Sequence, residues 1–75
     1  MNMQEDKEEL ADFLEEYARD VQESGILVND AVKKVIESLR QGTKISSQDK
    51  DEVKQEIESL QTNLGVLENV FNKLS

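Results

Sequence analysis

Val53-Lys-Gln-Glu-Ile57-Glu-Ser-Leu60-Gln-Thr-Asn-Leu64-Gly-Val-Leu67-Glu-Asn-Val-Phe71-Asn-Lys-Leu74 is the stretch that decides the fold. Its apolar residues Val53, Ile57, Leu60, Leu64, Leu67, Phe71 and Leu74 alternate spacings of four and three without a break. That is the seam of a helix that packs against another helix. Ser46 or Ser47 offers an N-cap, and Asp49 follows Ser46 by three residues, a capping-box variant with Asp in place of Glu. The spacing therefore predicts a helix over about 47–74, roughly 40 Å long at 1.5 Å per residue. Towards its end the apolar face widens. Glu52, Glu56, Ser59 and Asn63 on the flank give way to Val66 and Val70. Leu64, Val66, Leu67, Val70, Phe71 and Leu74 then form a face broader than one antiparallel neighbour requires. Gly65 beside this patch either permits close backbone approach or is an exposed weak spot costing about 1 kcal/mol relative to Ala.

Working back from this helix, two further helical segments are expected. Leu10, Leu14, Tyr17 and Val21 repeat at helical spacing, widened by Ala11, Phe13 and Ala18, which predicts a helix over about 4–24. Val28, Val32, Val35 and Leu39, with Ile36 beside them, predict a shorter helix over about 30–41 capped by Asn29 or Asp30. Gly25 and Gly42 each follow such a pattern, where a left-handed C′ residue ends a helix. The absence of proline agrees with helices throughout. The expected fold is all-α, a single domain over 1–75 built as an antiparallel helical hairpin or a small three-helix bundle. The long C-terminal helix is its spine. At this size one domain is the limit, and a lone copy sits near the margin of independent stability.

Charge is unevenly placed. Asp and Glu number 17 against 9 Lys and Arg, a formal net charge of −8. Residues 1–24 carry −7, residues 25–46 carry +2 and residues 47–75 carry −3. The short middle helix could therefore lie beside the acidic first one with favourable charge contacts. Such a balance opposes direct binding of a phosphate backbone or an anionic membrane, both of which call for Lys and Arg. The longest run without charged or strongly polar residues, Gly25-Ile-Leu-Val28, is far short of the roughly 20 residues of a membrane span. The opening Met1-Asn-Met-Gln-Glu-Asp6 has neither a basic nor an apolar signal region, so a cytoplasmic location is expected.

Little chemistry is available. With no His and no Cys there is no imidazole base, thiol nucleophile or N/S ligand set for zinc. Ser46–Glu52 is acidic but fails as a calcium loop. Counted from Asp49, the positions that need Gly and a bidentate acid hold Lys54 and Leu60. Glu9, Asp12 and Glu16 share a face opposite the apolar stripe and read as solvated. Tyr17, the one tyrosine, reads as a packed residue with its hydroxyl at the edge. No catalytic residues, metal or cofactor are expected, and the protein is not expected to be an enzyme.

Val35-Ile-Glu-Ser-Leu-Arg-Gln-Gly42, a short polar connector and Ile57-Glu-Ser-Leu-Gln-Thr-Asn-Leu-Gly-Val-Leu67 together resemble the small E-component co-chaperones of type III secretion needles. The resemblance covers roughly residues 35–74; the acidic first segment is longer than that family's usual N-terminus. It implies a cytoplasmic, non-enzymatic protein that stabilises a larger helical-repeat chaperone and, with it, holds a needle subunit unpolymerised. Leu64, Val66, Leu67, Val70 and Phe71 become the expected partner-binding residues. Two other readings stand beside it. One is an acidic inhibitor that mimics nucleic acid towards a basic partner. The other is a structural homodimer paired through the 53–74 seam.

Overall fold

The computed structural model describes residues 3–74, with side-chain surroundings from Lys7 to Leu74. The chain is all-α. Helix α1 spans Met3–Gln41, 39 residues, and helix α2 spans Ser47–Asn72, 26 residues. The reading of the first residues as lacking a signal rests on side chains outside the described set.

The connector is built as its residues dictate. Gly42 takes φ 71°, the left-handed conformation that residues with a Cβ adopt only with strain. Its N–H donates to the Leu39 carbonyl at 3.3 Å, and the Thr43 N–H donates to the Ser38 carbonyl at 2.9 Å. These two bonds form a Schellman motif that satisfies the last carbonyls of α1. Ser46 then caps α2, its Oγ accepting from the Asp49 N–H at 3.1 Å.

The expected break at Gly25–Asn29 is absent. Segments 4–24 and 30–41 are one continuous helix. The reason lies in the phase of the seam. Leu10, Leu14, Tyr17, Val21, Ser24, Val28, Ala31, Val35 and Ser38 keep one four-three rhythm from end to end, and each is half-buried or buried. The rhythm passes through Ser24 and Ala31, which are only 6% and 3% exposed, rather than through Val32 and Leu39. Gly25 stays helical, at about 1 kcal/mol relative to Ala, and the continuous seam offsets that cost. The acidic and basic segments thus lie end to end on one helix, not side by side. Charge is separated along the length of the molecule.

The two helices run antiparallel. Asn63 of α2 meets Ser24 of α1, and Glu52 meets Lys34. From α2, Val53, Leu60, Leu67 and Val70 are half-buried against α1. Among the described residues, no large side chain is fully buried. The result is a rod of 61 × 16 × 14 Å whose radius of gyration, 17.6 Å, far exceeds the roughly 11 Å of a compact domain of this length. Because α1 is the longer helix, its first turns project past the end of α2.

Candidate protein-docking surface

The seam read from the sequence splits in two. Val53, Leu60 and Leu67 turn towards α1, whereas Ile57, Leu64 and Phe71 are exposed, the last two at 45% and 56%. Ile57, Leu64 and Phe71 repeat every seven residues and so form a column down one flank of α2. Lys34 and Glu52 mark the opposite flank of the hairpin, where the Lys34 ammonium donates to the Glu52 carboxylate at 3.0 Å. Glu52, Ser59 and Val66 belong to that opposite side by the same sevenfold spacing.

The five expected partner-binding residues are therefore not brought together. Leu64 and Phe71 share one flank and Val66 lies on the other, 37% exposed. Leu67 and Val70 are half-buried between the helices. Gly65 approaches nothing: a Cβ there would meet no atom within 4 Å.

Helix α1 extends the Ile57 flank. One residue beyond its inner positions Tyr17, Ser24, Ala31 and Ser38 come Ala18, Gly25, Val32 and Leu39, again spaced by seven. In an antiparallel pair this column lies on the same side as Ile57, Leu64 and Phe71. From the register of Ser24 with Asn63, Val32 falls near Ile57, Gly25 near Leu64 and Ala18 near Phe71. None of these seven positions is charged. Gln22 and Asn29 border the face along α1, and Lys54, Gln61 and Glu68 border it along α2. An apolar strip with a polar rim is the anatomy of a protein contact surface.

Comparisons with family models, with curated proteins and with solved structures found no match for this chain.

The remaining surface mixes polar residues with the exposed apolar side chains of Phe13, Ile26 and Leu27, of which Phe13 and Leu27 share the Lys34 flank. Glu9, Glu16, Glu23, Asp30 and Glu37 recur every seven residues and are all exposed, on the side of α1 nearer the Lys34 flank. Shallow grooves along α2 are lined by Lys34, Gln48, Asp51, Glu52, Gln55, Glu58, Ser59, Thr62 and Asn63, with no apolar member. Phe13 and Tyr17 stack within α1 with ring centroids 6.3 Å apart. Among the described residues, no three Asp or Glu side chains converge as a metal site would need, and no helix is long and apolar enough to cross a membrane.

Sequence reasoning missed Ser24 and Asn63, which set the register, and the column Ala18–Gly25–Val32. Small and polar residues carry no hydropathy signal. The sevenfold recurrence of the column could still have exposed it.

Proposed function

We propose that the protein is a small, non-enzymatic interaction module of the chaperone or adaptor kind, which works by laying its uncharged flank on a helical partner. The observation that carries this reading is the exposure of Ile57, Leu64 and Phe71, with no large side chain fully buried among the described residues. Each such side chain gains about 1.5–3 kcal/mol when it is fully covered. The narrower reading is a cytoplasmic co-chaperone like those of type III secretion needles. It rests on the sequence resemblance over residues 35–74. The test is co-purification with a tagged chain from its native host. Leu64→Asp with Phe71→Asp should abolish capture while circular dichroism still reports helix; Val66→Asp on the other flank should not. Capture unaffected by the double substitution would refute the reading.

A second reading is an acidic inhibitor of a basic protein. It is favoured by the exposed column Glu9, Glu16, Glu23, Asp30 and Glu37. Salt titration of the captured complex separates the two. Docking through the apolar flank survives high salt, whereas binding through the acidic column fades as the screening length shortens.

A further inference from the structure

We propose that the uncharged flank closes on a second copy of this chain, with the two hairpins antiparallel, connector end over open end, in a four-helix bundle. This rests on the interaction-module reading and names the partner of that surface.

Area argues for a copy of this size. The hairpin exposes 6108 Å². A compact protein of its 8.6 kDa exposes about 4,700 Å². The excess is roughly 1,400 Å² per copy, or about 2,800 Å² for a pair, which falls within the range of permanent homodimer interfaces.

The flank is also complementary to itself over its middle, and at its end Phe71 falls over the Lys50 side chain of the second copy. A two-fold axis level with Val28 and Leu60, which are themselves level in the hairpin, sets Gly25 over Val32 of the second copy. The same axis sets Ala18 over Leu39 and Ile57 over Leu64. Small residues meet large ones along α1, as interdigitated packing needs. At the rim, Lys54 meets Glu68 of the second copy.

Charge selects the orientation. The open end, residues 7–23 and 56–74, carries −7, whereas the connector end, residues 33–55, carries +2. A parallel pair stacks the two −7 ends. The antiparallel pair sets each acidic end over the other copy's basic one. It also sets Glu15 level with Gly42 of the second copy, beside the connector that holds Lys44.

The chain has no native cysteine, so introduced thiols report the arrangement directly. Light scattering on the full chain should give twice the 8.6 kDa chain mass. On oxidation, Ala18→Cys chains mixed with Leu39→Cys chains should form a mixed disulfide, and Ala18→Cys chains mixed with Phe71→Cys chains should not. A monomeric mass at high concentration overturns the proposal. So does a dimer that links Ala18→Cys to Phe71→Cys and not to Leu39→Cys. If the chain is monomeric, an apolar fluorescent dye separates the two ideas. Dye binding that is lost in Leu64→Glu keeps the docking surface and removes only the second copy. No binding removes both.

Discussion

Asn63 Nδ2 donates a hydrogen bond to Ser24 Oγ across the helix pair, at the one polar step in an otherwise apolar stretch of seam. Ser24 is one of two buried residues among those described, so this bond lies where its loss is felt. Ser24→Ala should lower stability by about 1 kcal/mol, because the part-buried amide keeps only its long 3.5 Å contact to the Asp20 carbonyl. Asn63→Leu should raise the denaturation midpoint while loosening the register that the polar pair fixes. Urea unfolding checks the first, and broadened amide resonances check the second.

Two glycines should respond with opposite signs. Gly42 sits at φ 71° in the connector, so Gly42→Ala should lose about 1–2 kcal/mol. Gly65 is helical with open space around it, so Gly65→Ala should gain up to about 1 kcal/mol. Thermal melts of the two variants, run beside the parent chain, give both signs.

The Lys34 ammonium is held above its ordinary pKa of 10.5, first by its hydrogen bond to Glu52 and then by the charge of that carboxylate. Its folded-state pKa is thus higher than its unfolded one. The contribution to stability is complete below the unfolded value and disappears as pH rises through the folded value. The effect is small and screened by salt, because the pair is exposed. Lys34→Met should remove this alkaline decline from a low-salt stability–pH curve and leave the curve's shape near neutrality unchanged.

The antiparallel pairing makes Lys54 and Glu68 neighbours between copies. Lys54→Glu should weaken self-association at low salt, and adding Glu68→Lys should restore it. Sedimentation equilibrium on the single and double variants measures the reversal. Failure of the second change to restore association would place these residues apart.

Much of α2 was legible in the sequence. Ser46, Asp49 and Gly42 each state a backbone requirement, and the connector follows from them. The unbroken rhythm from Val53 to Leu74 likewise declares a helix. What that rhythm could not declare is which half of its residues faces α1. Both Val53–Leu60–Leu67 and Ile57–Leu64–Phe71 are apolar, and the choice is made by α1, whose seam there is Ser24 and Ala31. Gly25 misled for a related reason. Glycine marks a helix end only where a left-handed residue closes it, as at Gly42. At Gly25 the phase from Val21 through Ser24 to Val28 keeps the helix going. The candidate surface was half visible: Leu64 and Phe71 belong to one flank, but Val66 does not share it.

The most direct measurement is the melting temperature as a function of protein concentration. A flank closed by another copy couples association to folding, because the pair must separate before its chains unfold. A hundredfold rise in concentration then stabilises the folded form by about 2.7 kcal/mol and should raise Tm by roughly 5–10 °C. A cooperative melt at the same Tm across that range would mean that the hairpin is complete alone, and would contradict the claim that its flank is built to be covered by a second copy.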